Sequence, residues 1–331
     1  MTYAKPMKDL YERLRDVGFD ASFVRYRILP EWWEDELAEK PANRAMAEAA
    51  VSRMLGFPID QLRSAERSLT LPALNNVRLK RNKGTKAHEV RPAILLAEQT
   101  AKAILTALPG LPPFSGVVSV QELRQRVLAD RYSVDLEGLL EFAWSHGIAV
   151  LHLEELPKAS KKFSGLALFH GRTPIIVLAC RRDSPPWIAF HLAHELAHIL
   201  LGHVAEGKPP LADSDIDQLD KDAEETAADE FACAALTGHP SIRTTPIYGL
   251  TADKLVAWAK RIAADKNIDP GTVALIYGRN AQRIAVAQNA LKLLGLDHGA
   301  KAKIGAALKS RLCRDDLPES TERFLSLLSA V

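Results

Sequence analysis

The sequence predicts an α+β protein in which a small central domain lies between two helical regions. Apolar residues recur at helical spacing over most of residues 1–108 and again over residues 251–331, where alanine and leucine are frequent. The chain between them carries two further helical segments that are rich in histidine and acidic residues.

Proline and glycine mark the boundaries of these regions. The segment 109–116 contains three prolines and two glycines and cannot continue a helix, so we expect it to be a linker. Beyond it, Ser119 with Glu122 three residues later predicts a capping box that opens the next helix. We therefore expect a helical N-terminal domain over 1–108, a central domain over 117–245 and a helical C-terminal region over 246–331.

The N-terminal region is predicted to consist mainly of helices. Apolar spacing indicates four of them, over Leu10–Val17, Pro30–Glu39, Asn43–Leu55 and Ala93–Leu108.

The most informative segment of the central domain is His194-Glu195-Leu196-Ala197-His198. Positions i and i+4 lie on the same face of a helix, so both imidazole rings can bind one zinc ion. Glu195 then lies beside the open coordination position, where it can act as a general base toward water. Ser184 and Pro185 predict where the helix begins, and Gly202 predicts where it ends.

A catalytic zinc site needs a third protein ligand, and the acidic stretch downstream offers several. Between Asp213 and Glu230 there are nine acidic residues and one lysine. A helix whose core face holds Ala223, Ala227, Phe231 and Ala234 would place Glu225 and Asp229 one turn apart on a neighbouring face. Glu225 is then the favoured ligand, and Asp229 can accept the free N–H of a ligating histidine. Glu224 and His203 remain as alternative third ligands.

These two segments resemble the ImmA/IrrE family of metallopeptidases. The resemblance rests on the run from Phe190 to His198 and on Glu225-Thr226-Ala227-Ala228-Asp229-Glu230-Phe231-Ala232, and it covers about residues 115–240. It implies a gluzincin-like domain in which His194, His198 and Glu225 bind Zn²⁺ and Glu195 is the catalytic base.

The resemblance also implies the other elements of the domain. These are a leading helix at Asp135–His146, a strand at Gly147–Val150, and a hairpin formed by Ser164–Phe169 and Pro174–Ala179. The chain departs from the family pattern at Ala227 and at Gly238-His239-Pro240, and neither change removes a ligand.

The family resemblance further implies a zinc-dependent regulatory endopeptidase that cleaves a protein partner, a repressor-type transcription factor, in stress response or in the control of mobile elements. Tyr248 and His239 are the two candidates for the residue that stabilises the oxyanion. The alternative hypothesis is a DNA-binding transcriptional regulator whose metal site is structural or sensory. The two hypotheses differ at Glu195, because only a peptidase needs its carboxylate.

Two features of the N-terminal region favour a DNA contact. Residues Ala45–Arg63 resemble two helices joined by a turn at Gly56, which is similar to the helix-turn-helix of repressor-type regulators. The stretch Arg78–Lys86 holds five basic residues and no acidic one, which suits a contact with phosphate, although a solvated loop is the favoured interpretation. The second helix offers few side chains that read bases, namely Gln61, Arg63 and Arg67, so a helical interaction domain is the favoured interpretation.

Composition indicates a soluble cytoplasmic protein. The 331 residues are 47% hydrophobic and 25% charged, with a net charge of +2, and no apolar run is long enough to cross a bilayer. The acidic central region lies between two basic flanks. Three scattered cysteines, Cys180, Cys233 and Cys313, form neither a metal-binding pattern nor a disulfide framework, which favours a reducing compartment. The lack of a long apolar run predicts no membrane association.

Overall fold

The structure, a computed structural model, describes residues 5–64, 68–72, 77–79, 87–158, 160, 163–204, 218–313 and 317–331. For residues 5, 77–79, 87–88 and 218–222 only the backbone is described. Most of the predicted basic stretch, from Lys80 to Lys86, lies outside these ranges, as does Arg67. Within the described residues the fold is α+β, as the sequence predicts.

The N-terminal region is mainly helical, and it differs from the prediction in several places. Its helices are α1 (Lys5–Asp16), α2 (Ala21–Phe23), α3 (Pro41–Leu55), α4 (Ile59–Arg63) and α5 (Ala87–Thr106). Helix α5 begins six residues earlier than predicted, because Pro92 lies close enough to its start to be tolerated inside it.

The predicted helix at Pro30–Glu39 is wrong. A 3₁₀ segment at Asp35–Glu39 replaces it, and a π-helical turn precedes it at Val24–Ile28. The carboxylate of Asp35 accepts hydrogen bonds from Tyr11 Oη and Trp33 Nε1, at 2.6 and 3.1 Å. These side-chain bonds hold the segment in a shape that a continuous helix does not have.

A four-stranded sheet forms the centre of the molecule. Its strands are β1 (Val77–Leu79), β2 (Ala149–His152), β3 (Gly165–His170) and β4 (Thr173–Leu178), in the order β1-β3-β4-β2. Strands β3 and β4 form the expected hairpin, and β2 runs parallel to β4 with Ala149 opposite Ile175. Strand β1 was not predicted, and it pairs antiparallel with the outer edge of β3. Consecutive residues of β2 and β4 are buried, so helices cover both faces of this sheet.

Nine helices follow β1 and α5 in the described chain. Helices α6 (Val120–Leu128) and α7 (Leu136–Ser145) precede β2, and each begins at a side-chain cap, Ser119 and Asp135. Helix α8 (Pro185–Leu200) follows β4 and packs against β3 and β4. Helix α9 (Gln218–Thr237) packs along α8. The C-terminal region contains α10 (Ala252–Lys266), α11 (Pro270–Asn280), α12 (Ile284–Leu294), α13 (Ala300–Lys309) and α14 (Glu319–Leu325).

One hydrophobic core connects most of these elements. It runs from Met7 on α1 through the sheet and α8 to Leu328 near the C-terminus. A smaller cluster around Leu255 and Tyr277 holds α10, α11 and α12 together. The main core therefore includes the N-terminal helices, the sheet and α8, and within it the sheet and α7 pack directly against α8. The predicted domain boundaries stay predictions about independent folding.

Candidate metal centre

Helix α8 carries the two histidines of the predicted site on its buried side. Leu192 and Leu196 are fully buried, as is His194, while Glu195 and His198 are 1% and 2% exposed. Ser184 stands at the start of the helix, but its hydroxyl donates to Leu296 O at 2.6 Å instead of capping α8. This bond ties the start of the helix to the C-terminal region.

Helix α9 approaches α8 through small residues. Its buried face holds Ala228, Ala232 and Ala235, which permit a close helix contact. The predicted core face was partly wrong, because Ala223 is exposed. Relative to the predicted orientation, α9 is rotated about its own axis. As a result, the side that carries Glu225 and Asp229 faces α8.

Three potential ligands converge between the two helices. His194 Nε2 lies 3.1 Å from His198 Nε2 and 3.3 Å from Glu225 Oε2, and His198 Nε2 lies 3.4 Å from Glu225 Oε1. Ligands about 2.0–2.1 Å from a tetrahedral zinc ion are about 3.3–3.4 Å apart, so the observed spacing fits Zn²⁺. Among the described residues this is the one group of three His, Cys, Asp or Glu side chains that could hold a metal ion.

The outer nitrogens of the two rings have different partners. His194 Nδ1 lies 2.9 Å from Asp229 Oδ1, as the sequence predicts for a supporting carboxylate. His198 Nδ1 lies 3.0 Å from His203 Nδ1. A ring that offers its Nε2 lone pair to a metal carries its proton on Nδ1, so with a metal bound His194 would donate to Asp229 and His198 would donate to His203.

His203 thus contacts a candidate ligand rather than joining the cluster itself. The main chain turns at Gly202, where φ is +71°, a conformation that glycine adopts without strain. This turn ends α8 at the predicted position and brings the ring of His203 back toward His198.

The electrostatics of the cluster favour an ionised Glu225. Burial would raise the pKa of this carboxyl, but its contacts with His194 and His198 outweigh that effect and hold the pKa well below its usual range. This half-buried position therefore suits a carboxylate, and a divalent cation beside it would also stabilise the charged form.

Glu195 lies on the same helix, over strand β3. A Cβ atom at Gly165 would lie 2.5 Å from Glu195 Oε1, so only glycine leaves room for the carboxylate in this position. Cys180 follows β4, and burial raises the pKa of its thiol to about 12. A thiol with that pKa stays protonated at neutral pH without a metal, and Cys180 is not part of the convergent group.

The remaining predicted residues stay outside the cluster. Glu224, the neighbour of Glu225, is absent from the convergent group. Tyr248 is 99% exposed, and neither its hydroxyl nor the ring of His239 hydrogen-bonds to any described residue. Sequence reasoning did not foresee the roles of Gly165 and Arg279, the latter an α11 residue whose guanidinium lies 3.7 Å from Asp229 Oδ2. Both depend on contacts between segments that are far apart in the chain.

A His-x-x-x-His helix and a glutamate helix packed beside a short sheet define the class of HExxH metallopeptidase domains. Comparison with known families agrees with this class. Residues 143–245 match the model of a peptidase family described as the IrrE N-terminal-like domain. The matched residues include α8 and α9 and therefore all five predicted site residues. The predicted resemblance to the ImmA/IrrE peptidases is confirmed over this region, and the match supports a peptidase role. No curated protein and no solved structure matches the chain significantly.

The family match does not extend to the predicted helix-turn-helix. Helices α3 and α4 are joined at Gly56, but α4 has only five residues. Arg63 lies 3.8 Å from Glu48, and Gln61 accepts from Thr70 N at 3.4 Å, so the two candidates for base reading that the structure describes have partners within the chain. None of the described helices is long and apolar enough to span a membrane.

Proposed function

We propose that the protein is a zinc-dependent regulatory endopeptidase that cleaves a protein partner in the cytoplasm. The observation that carries this proposal is the convergence of His194, His198 and Glu225 at tetrahedral spacing, with Glu195 beside them on α8. Two nitrogen ligands and one carboxylate would leave one position for water, which is the arrangement of catalytic rather than structural zinc sites.

In this proposal each side chain has a separate role. His194, His198 and Glu225 would hold the ion, while Asp229 keeps the proton of His194 on Nδ1 and fixes the plane of the ring. Zinc supplies a Lewis acid that makes water acidic at about neutral pH and polarises a peptide carbonyl. Glu195 accepts the proton of the attacking water and returns it to the nitrogen of the leaving amine.

The buried setting of Glu195 supports this assignment. The carboxyl is 1% exposed, and Gly165 of β3 closes one side of it. A general base is effective when it is held at a fixed distance from the proton that it takes, and both α8 and β3 are rigid elements of the core.

We further propose that the substrate is a repressor-type transcription factor, on the family resemblance of the two motifs. A partner encoded beside the gene for this protein is the first substrate to test. DNA binding by the N-terminal region belongs to the alternative hypothesis, in which the metal is structural or sensory.

The decisive experiment compares Glu195→Gln with Glu224→Gln. Each variant removes one carboxylate near the site, but only Glu195 is placed to accept the proton of water. Wild type and both variants are purified and analysed for zinc, and each is co-expressed with the repressor. We expect about one zinc per molecule in all three. Intact mass analysis should show a repressor cut at one or a few sites by wild type and Glu224→Gln, and an uncut repressor with Glu195→Gln.

A complementation assay gives the contrary outcome. If Glu195→Gln restores every phenotype of a deletion strain as well as the wild type does, the protein does not act as a peptidase, and the regulator hypothesis replaces it. A protein that folds without any affinity for zinc would contradict the metal site itself.

A further inference from the structure

Helix α11 lies beside the metal centre although it follows the family-matched region. It packs against α8, and its Tyr277 hydroxyl accepts a hydrogen bond from Ile247 N at 3.1 Å. Asn280 donates from its side-chain amide to Ile242 O. These two bonds fix the C-terminal half of α11 to the segment that follows α9, so the position of the residue between them, Arg279, is defined.

Arg279 contacts both helices of the metal centre. Its Nη2 lies 3.7 Å from Asp229 Oδ2 on α9, and its guanidinium carbon lies 5.1 Å from the ring centroid of Phe190. Phe190 is on α8, one turn before His194. The other oxygen of Asp229 is the one that accepts from His194 Nδ1, at 2.9 Å.

We infer that Arg279 is a positioning residue of the metal centre, which acts on His194 through Asp229. A carboxylate that contacts a histidine with one oxygen and a guanidinium with the other cannot rotate freely. This fixed orientation favours the His194 tautomer that carries its proton on Nδ1 and leaves the Nε2 lone pair for zinc. The C-terminal region would then complete the site, and the match at 143–245 would not be a self-sufficient unit.

The size of the effect follows from exposure. The side chain of Arg279 is 60% exposed, and the ion pair is long, so water and salt screen it. Loss of a residue that directly supports a ligand lowers metal affinity by about 10–100-fold. Arg279 is one contact further away, and we expect a loss of about three- to tenfold in zinc affinity.

This inference rests on the proposed zinc site, and a double-mutant cycle tests it separately. Zinc dissociation constants are measured by chelator competition for wild type, Arg279→Ala, Arg279→Lys, Asp229→Ala and the double variant Arg279→Ala/Asp229→Ala. Arg283→Ala is the matched control, because Arg283 is also exposed, lies four residues further along and has no side-chain partner among the described residues. Thermal unfolding of the zinc-free proteins reports any loss of fold.

We expect Arg279→Ala to weaken zinc binding, Arg279→Lys to restore part of the affinity, and Arg283→Ala to leave it unchanged. In the Asp229→Ala background, Arg279→Ala should have no further effect, because its pathway to His194 is gone. High salt should reduce the difference between wild type and Arg279→Ala.

If wild type and Arg279→Ala bind zinc with equal affinity, the inference is wrong while the proposed function stands. The inference is also wrong if Arg279→Ala lowers the zinc affinity equally in the wild-type and the Asp229→Ala background. A wild type that binds no zinc overturns the proposed function together with it. If Arg279→Ala unfolds, Arg279→Lys decides, because it keeps the charge and loses the fixed planar geometry. In that case a weaker zinc affinity of Arg279→Lys than of wild type and Arg283→Ala supports the inference, and equal affinity overturns it.

Discussion

Two buried histidines of this protein, His194 on α8 and His152 on β2, show what separates a ligand from a core residue. Both are nearly inaccessible, at 0% and 2% exposure. His194 faces Glu225 and Asp229 with its two nitrogens. His152 Nδ1 lies 2.7 Å from Ser329 Oγ, and its Nε2 lies 3.0 Å from Cys180 O. Burial alone therefore does not identify a metal ligand. A candidate ligand is identified by other potential ligand atoms that lie around the same ring nitrogen, as they do around His194 Nε2.

The surroundings of His152 serve the fold instead. Ser329 N donates to His152 O at 3.0 Å, and Leu153 forms a β-bridge with Leu328. Glu154 continues the network, with its carboxylate 2.6 Å from Ser329 Oγ and 2.9 Å from Lys301 Nζ. This cluster joins β2 to the C-terminal segment and leaves neither nitrogen of His152 available to an ion.

The largest expected difference between the two sites is in metal content. His194→Ala should abolish zinc binding, with an affinity loss beyond the roughly 100-fold upper range of a supporting residue. His152→Ala should keep one zinc per molecule but lose about 2–4 kcal/mol of unfolding free energy, because it creates a cavity and removes two buried hydrogen bonds. Elemental analysis and denaturant unfolding measure both. Zinc loss in His152→Ala with an intact fold would break the distinction.

A second comparison separates the ligand from its acidic neighbours on α9. We expect Glu225→Ala to weaken zinc binding severely, Asp229→Ala to weaken it by about 10–100-fold, and Glu224→Ala to change it little. Chelator competition on the three proteins provides the measurement. If Glu224 and Glu225 exchanged these effects, the rotation of α9 described above would be incorrect.

Much of the site could be predicted because it depends on local geometry. The i,i+4 spacing on one helix fixes His194 and His198 relative to each other, and the same rule relates Glu225 to Asp229. The choice between Glu224 and Glu225 depends on how α9 is rotated against α8, which is set by packing of Ala228, Ala232 and Ala235. The sequence pattern left that choice open for this reason.

The remaining contacts depend on chain reversals and long-range packing. His203 reaches His198 only because the turn at Gly202 reverses the chain, and the direction of such a turn is not encoded in the helix pattern. Arg279 is 50 positions beyond Asp229 and has no local signal. Strand β1 has three residues, too few for an alternating pattern to stand out, and its pairing with β3 supplies the missing stabilisation.

A third prediction concerns Glu195 and the strand beneath it. Gly165→Ala should displace the Glu195 carboxylate, because the new methyl group would lie within 2.5 Å of its Oε1 atom in the present arrangement. General base catalysis contributes about 10²–10⁴-fold, so a displaced base should lower the cleavage rate at least about tenfold with zinc content unchanged. Gly110→Ala is the control, since a Cβ there meets no atom within 4 Å. Full cleavage by Gly165→Ala would mean that the exact position of Glu195 is unimportant.

The smallest expected effect is the pH dependence of stability at His152. Burial lowers the pKa of this ring, and Lys301 adds to that effect, while the carbonyl of Cys180 and the charges of Glu154 and Asp183 oppose it without reversing it. As pH falls, His152 of the unfolded chain therefore takes up its proton at a higher pH than His152 of the folded chain. The free energy of unfolding decreases as pH falls below about 6.5. One such proton contributes a slope of at most about 1.4 kcal/mol per pH unit, which His152→Gln should remove from denaturant unfolding curves between pH 7 and 5.

The sign of that slope also tests the hydrogen-bond pattern. Ser329 has one hydroxyl proton and lies within hydrogen-bond distance of both His152 Nδ1 and Glu154 Oε2. A neutral His152 competes with Glu154 for this proton, whereas a protonated ring would donate to Ser329 and let Ser329 donate to Glu154. In the second case the pKa of His152 would be raised, and the wild type would lose stability relative to His152→Gln as pH rises. A slope of that sign would contradict a neutral His152 ring. It would mean that a protonated His152 and the carboxylate of Glu154 form a buried ion pair bridged by Ser329.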